Sequence, residues 1–218
     1  MPENVKPNRC VIICASPEFH LAGLRADDYI IACDGGYEHA VRSGVRPHLV
    51  LGDFDSYAGE VAGDIPPLRA PCEKDDTDTM LAVRRGLELG FRRFVIYGGL
   101  EGRRLDHTVA NFQALGFLAQ QGAVGFLVGK ESICCAVKNA GMQFPREAEG
   151  DFSLFCLGPD AKGVTIRNLY YEAENITLTS FFPLGVSNHF TGKQASFTVA
   201  DGTVLATWQR KSGFPQIV

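Results

Sequence analysis

The chain has 218 residues, 45% of them hydrophobic and 21% charged, with a formal net charge of -4, which is enough for one large domain or two small ones. The acidic balance excludes a broad nucleic-acid or membrane surface and leaves room only for a local basic patch. No apolar run reaches the length that a bilayer demands. Residues 1–6 lack the basic-then-apolar order of a signal peptide, so the expectation is a cytoplasmic protein.

Residues 10–15 (CVIICA) read as a strand, and residues 29–33 (YIIAC) as another. Asp34-Gly35-Gly36 follows the second, with a short helix through Ser43. Leu49-Val50-Leu51 reads as a buried strand running into Gly52-Asp53-Phe54-Asp55-Ser56. Thr77 or Asp76 caps a helix ending near Leu89, with Met80, Val83 and Leu87 as its apolar stripe and Gly90 as its stop. Residues 93–97 (RFVIY) form a strand, Gly98-Gly99 opens a loop, and a helix follows over 106–120 with Val109, Phe112, Gly116 and Ala119 on one stripe. Residues 124–128 (VGFLV) are a further strand. Strand–helix alternation of this kind predicts an α/β domain with a mainly parallel sheet over residues 1–129. Beyond Gly129 short period-2 segments take over, as in residues 176–179 and 195–199, and Asp201-Gly202 reads as a hairpin turn. Residues 130–218 are therefore expected to form an all-β sandwich domain.

Seven cysteines cannot pair completely, and the absence of a CxxC pair speaks against a zinc site. Most read as small buried residues in a reducing compartment.

The acids carry the chemical signal. Asp34, then Asp53 and Asp55, follow strands directly; Asp106 follows one through a glycine-rich loop; Asp75, Asp76 and Asp78 open a helix. In open α/β sheets ligands bind beyond the carboxyl ends of the strands. Carboxylates gathered there repel one another unless cations neutralise them, and a divalent metal with phosphate does so. Gly35-Gly36 and Gly98-Gly99 allow backbone N–H groups close to an anion. Lys74, Arg103 and Arg104 supply positive charge. Each piece alone also has a plain structural reading: a turn for the Asp-Gly clusters, dipole-complementing acids for 75–78, and solvated charge for the arginines. His107 reads as a packed or hydrogen-bonded histidine, since Mg2+ prefers oxygen. No GxxxxGK[ST] loop and no GxGxxG fingerprint is present, which excludes a P-loop kinase and an ordinary dinucleotide enzyme.

Taken in order, Asp34-Gly35-Gly36, Gly52-Asp53-Phe54-Asp55-Ser56, Lys74-Asp75-Asp76-Thr77-Asp78, Arg104-Leu105-Asp106-His107 and Ser187-Asn188 resemble the thiamine pyrophosphokinase family over nearly the whole chain. The resemblance implies an N-terminal α/β nucleotide domain, a C-terminal β-sandwich, and a homodimer with active sites at the subunit interface. It implies Mg2+-dependent transfer of pyrophosphate from ATP to the thiamine hydroxyl, giving AMP and thiamine diphosphate. On that reading Asp53, Asp55 and Asp78 hold Mg2+ with Asp34 close by, and Lys74, Arg103 and Arg104 are candidates for the phosphates. Thr77 bonds a phosphate oxygen or caps its helix, and Asp106 orients the thiamine hydroxyl or takes its proton, positioning being the better fit for a weak base. Tyr171 stacks on thiamine, and Ser187 and Asn188 hydrogen-bond its pyrimidine. The chain departs from the family pattern in three places. Arg103 stands where a second Gly is usual, His189 stands where a Glu often follows the Ser-Asn pair, and residues 168–171 lack the usual Gly and Lys. Two other classes fit the residues without the resemblance: a metal-dependent nucleotide phosphohydrolase, and a non-catalytic binding module.

Overall fold

The computed structural model describes residues 8–16, 21–52, 67–69, 76–102 and 104–218. The chain divides into two compact units, one of residues 1–114 with 127–130, the other of residues 115–126 with 131–218.

The first unit holds strands β1 (Arg9–Ile13), β2 (Asp28–Cys33), β3 (Leu49–Gly52), β4 (Pro67–Arg69) and β5 (Arg93–Tyr97), with helices α1 (Gly36–Arg42) and α2 (Asp78–Glu88). The strands run in the order β5-β1-β2-β3-β4, every pairing parallel. All five residues of β1 are buried, which is why it reads as a continuous apolar run rather than an alternating one. Its one charged residue, Arg9, is register-matched to Asp28 and donates to both carboxylate oxygens, at 2.7 Å from Nε and 2.6 Å from Nη2. A buried charge is tolerated when paired in this bidentate way.

Sequence pattern and structure part company on the buried face of α2. Met80, Val83 and Leu87 are the expected stripe, but the buried residues are Thr79, Ala82, Val83 and Gly86. The reason is close approach. A Cβ at Gly86 would lie 2.4 Å from Phe94 Cε1 and 3.2 Å from Cys10 Sγ, so small residues face the sheet and larger ones flank them. Helix α3 (Leu105–Gln120) departs in part: Ala119 of the expected stripe is buried, but Val109 is exposed, and Asn111, Ala114, Leu115 and Leu118 are buried beside Ala119. Strand β4, which contains Pro67, was not expected from the sequence.

After β6 (Val124–Val128) come β7 (Ser132–Lys138), β8 (Gly141–Gln143), β9 (Asp151–Cys156), β10 (Ala161–Arg167), β11 (Ala173–Leu178), β12 (Gly185–His189), β13 (Ser196–Thr198), β14 (Thr203–Gln209) and β15 (Gln216–Ile217). Within the second unit, β12-β9-β14-β7 form one antiparallel array and β11-β10-β13-β8-β15 another. Aromatic rings join the two. Phe152 of β9 lies 5.9 Å from Phe197 of β13, and Phe144 lies 5.6 Å from Phe152 and 5.3 Å from Trp208. Trp208, the sole tryptophan, is core.

Asp201-Gly202 does not make the expected hairpin. It leads from β13 to β14, which belong to different arrays, and Asp201 instead bridges Lys162. Gly202 does take a positive φ of 121°. The local turn chemistry is therefore as read, but it does not specify which sheet receives the next strand. Among the described residues, no helix is long and apolar enough to cross a membrane.

Candidate active site

In the first unit the strand order turns about β1: the chain proceeds outward through β2, β3 and β4, then returns to pair β5 on the other side of β1. A reversal of this kind leaves a crevice at the carboxyl ends of the strands. A cleft of about 330 Å³ lies there. Cys14, Ala15 and Ser16 line it from the end of β1, Cys33 and Asp34 from β2, and Gly98 from β5; Thr77, Asp78 and Thr79 line it from the start of α2. Gly102, Arg104, His107 and Asn111 complete the wall.

Asp34 is buried, 8% exposed, in the left-handed region at φ 43°. Its backbone N–H donates to Leu51 O at 2.7 Å, and its carbonyl accepts from Tyr37 N at 3.0 Å. The space a side chain would need at Gly36 is filled by the chain itself, since a Cβ there would sit 2.1 Å from Ile13 O. The glycine is thus required by packing whatever the site binds.

The acidic start of α2 divides its labour. Thr77 caps the helix, accepting from Met80 N at 3.2 Å through Oγ1. Asp76 pairs with Arg84 at 3.2 Å, and Asp78 lines the cleft. Two thiols tie this end of the helix to the sheet: Cys14 Sγ lies 3.3 Å from Thr79 Oγ1, and Cys33 Sγ lies 3.5 Å from Asp78 O. The hydrogen bond between Cys14 and Cys33 lowers the first thiol's pKa and raises the second's.

The loop after β5 is held by α3. Asn111 Nδ2 donates to Gly99 O at 2.7 Å, Thr108 Oγ1 donates to Leu100 O at 3.2 Å, and Ser16 Oγ donates to Glu101 O. Arg104 and Asp106 are exposed and form an ion pair, with Nε donating to Oδ1 at 3.2 Å and Nη2 donating to Oδ2. That hydrogen bonding lowers the Asp106 pKa to about 2 and raises that of Arg104. Arg104 lines the cleft; His107, expected to be packed or hydrogen-bonded, is exposed, not packed, and lines it too.

The predicted residues thus fall into three sets. Asp34, Thr77, Asp78 and Arg104 come together, with Gly35 and Gly36 beside them and Asp106 held to Arg104. Asp53, Asp55, Lys74 and Arg103 lie outside the described residues. Tyr171, Ser187 and Asn188 belong to the second unit. There Asn188 is buried, and its amide serves the chain: Oδ1 accepts from Tyr171 N at 3.0 Å and His189 N at 2.9 Å, and Nδ2 donates to Tyr171 O at 2.7 Å. Tyr171 is exposed, edge-on to Tyr170, whose ring stacks on His189 at 4.5 Å. Ser187 is exposed at φ 62°.

Ser16, Asn111 and the Cys14–Cys33 pair were not singled out from the sequence as cleft residues. The only sequence signal for them is position just after a strand or inside the first turns of a helix. The described donors facing the cleft include the carboxylates of Asp34 and Asp78 and the hydroxyls of Ser16 and Thr79, an oxygen set that suits a hard divalent cation. Among the described residues no group of three or more His, Cys, Asp or Glu side chains gathers as a complete metal site.

Residues 22–124 match the family model described as thiamin pyrophosphokinase, catalytic domain, and residues 142–204 match the thiamin pyrophosphokinase vitamin B1 binding domain. Among curated proteins, none matches the chain. Among solved structures, the fold is similar to that of thiamine pyrophosphokinase from Bacillus subtilis, with 22% identity, a TM-score of 0.83, and coverage of 92% of this chain and 98% of that one. A thiamin pyrophosphokinase family protein from Enterococcus faecalis gives 24%, 0.77, 92% and 98%. Yeast thiamin pyrophosphokinase gives 16%, 0.68, 95% and 88%. With two domain models matched in order over about three quarters of its length, the chain belongs to the thiamin pyrophosphokinase family and is a transferase of the diphosphotransferase class.

Proposed function

We propose that the chain transfers the pyrophosphoryl group of ATP to the hydroxyl of thiamine in one Mg2+-dependent step. The hydroxyl oxygen bonds to the β-phosphorus, the bond from that phosphorus to the α-phosphate oxygen breaks, and AMP leaves; the hydroxyl proton passes to solvent. The observation that carries this reading is the cleft at the carboxyl ends of β1, β2 and β5, with the carboxylates of Asp34 and Asp78 and the cation of Arg104 on its wall.

When bound, Mg2+ supplies charge neutralisation for the phosphates. Asp53, Asp55 and Asp78 are assigned to hold it, with Asp34 beside them. Arg104, with Lys74 and Arg103, is assigned to phosphate charge. Asp106, with its lowered pKa, is a poor proton acceptor near neutral pH, which supports a positioning role. In the second unit Tyr171 is assigned to stack on the cationic vitamin, supported by its exposure and the favourable pairing of cations with aromatic faces. Ser187 is assigned to hydrogen-bond the pyrimidine. Asn188 is assigned chiefly to fix the Tyr171 backbone, with one amide hydrogen left for the ligand. Residues 1–129 then act as the nucleotide domain and residues 130–218 as the thiamine domain.

A homodimer with active sites at the interface is supported by Phe181, Phe182, Leu184 and Val186, a cluster of exposed apolar side chains. The six described cysteines are all thiols, which supports a reducing, cytoplasmic setting.

The test is an assay of purified protein with Mg-ATP, with and without thiamine, measuring AMP and thiamine diphosphate together. Equal amounts of both, dependent on thiamine, are expected. ATP hydrolysis that ignores thiamine would point instead to a phosphohydrolase, and thiamine binding without product to a binding module.

A further inference from the structure

Cys14 and Cys33 occupy matched positions on neighbouring strands. β1 and β2 pair Ile13 with Ala32, and each cysteine is the next residue along. Both are buried, 6% and 2% exposed, and both line the cleft. Both thiols also reach the start of α2, Cys14 Sγ lying 3.3 Å from Thr79 Oγ1 and Cys33 Sγ 3.5 Å from Asp78 O. Neighbouring strands lie about 4.8 Å apart, inside the Cα separation of about 4.4–6.8 Å that a disulfide accepts. The other described cysteines lack this arrangement. Cys134 and Cys135 are adjacent in one strand and face opposite ways, and Cys10 lies four residues before Cys14 along β1 and the chain that continues it.

We propose that Cys14 and Cys33 are a dithiol modification site on the wall of the cleft, which a two-electron oxidant of the peroxide class closes into a disulfide. One sulfur attacks a peroxide oxygen, forming a sulfenic acid and releasing water. The second sulfur attacks the first, forming the S–S bond and releasing the second water. Two thiols are oxidised and one peroxide is reduced to two waters. The bridge ties together the ends of β1 and β2. Because Asp34 follows Cys33 directly and already holds a left-handed backbone at φ 43°, closing the bridge pulls on that carboxylate, and turnover falls. The effect on turnover rests on the proposed function; the cross-link does not.

The experiment treats reduced full-length protein with hydrogen peroxide, alkylates the remaining thiols, and maps peptides without reductant. A peptide linking Cys14 to Cys33 is expected, lighter by about 2 Da for the two hydrogens lost. Thiamine diphosphate formation should fall, by up to about a hundredfold if Asp34 moves by about 1 Å, and return with dithiothreitol. Cys33→Ser, with Cys14→Ala as a second variant, should each keep their own untreated rate after peroxide. A link joining any other pair, Cys72 included, or sulfur oxidation with no link, overturns the site. A Cys14–Cys33 link that leaves turnover unchanged overturns the control of activity. Because the link is read by mass, it stands or falls independently of whether the untreated protein makes thiamine diphosphate.

Discussion

The Arg104 guanidinium holds the Asp106 pKa down to about 2, below its ordinary value, and at the near-neutral pH of a phosphoryl-transfer assay the carboxylate is charged with or without that pairing. The sign of the linkage follows. The folded pKa lies below the ordinary carboxylate value, so the stabilisation is fully present above that ordinary value and is lost as pH falls through about 2. Both partners are exposed, and solvent screening keeps the contribution small. Chemistry, not stability, is therefore where the pair matters. In Arg104→Gln the Asp106 pKa should return towards its ordinary value, followed by carboxyl NMR during an acid titration. If it stays near 2, the guanidinium is not the cause. An acid limb in the pH–rate profile of the unmodified protein near neutral pH would belong to some other group.

At the level of elements, α2 carries Asp78 into the cleft and depends on Thr77 for its first turn. Removing a side-chain cap of this kind costs about 1 kcal/mol. Thr77→Ala should lose roughly that much in urea unfolding, whereas Thr77→Ser, which keeps the hydroxyl, should lose little. If Thr77→Ser loses turnover while keeping stability, the residue has a ligand role beyond the cap. The cap and the helix were legible because Thr-Asp before an apolar run is a local signal. The buried face was not, because hydrophobic periodicity assigns the core to large residues. Here Thr79, Ala82 and Gly86 join the expected Val83 against the sheet, a choice set at Gly86 by Phe94 of β5 and by Cys10 of β1, the latter far away in sequence. The same limit applies to the cleft. Asp34, Thr77, Asp78 and Arg104 stood out because acids, bases and caps after strands are visible one motif at a time. Ser16, Asn111 and the two thiols acquire their place only through which strands are neighbours, and single-sequence patterns do not state that.

At the scale of the whole molecule the exposed apolar side chains bear on the proposed association. Phe181 is 99% exposed and Phe182 66%, and side chains of this size are seldom left clustered in water by a monomer. If the proposed homodimer forms through this patch, the unmodified protein should sediment as a dimer and the Phe181→Asp, Phe182→Asp double variant as a monomer. An unmodified protein that is already monomeric at micromolar concentration would remove the dimer from the proposed mechanism. The broad division into parallel strands with helices followed by antiparallel strands was legible from period and punctuation. The destination of each β-strand was not: Asp201-Gly202 has the composition of a hairpin and joins two different arrays.

Gly52 takes φ 155° and has no side chain because one would stand 3.2 Å from the backbone and Cβ of Asp34, while Leu51 beside it accepts the Asp34 N–H. Two motifs eighteen residues apart in sequence are therefore one mechanical part. Damage at Gly52 and damage at Asp34 are not independent, so their free-energy effects should fail to add, as expected of residues in contact. A lost activity in a Gly52 variant is for that reason a statement about where Asp34 stands, and not in itself a statement about a metal ligand.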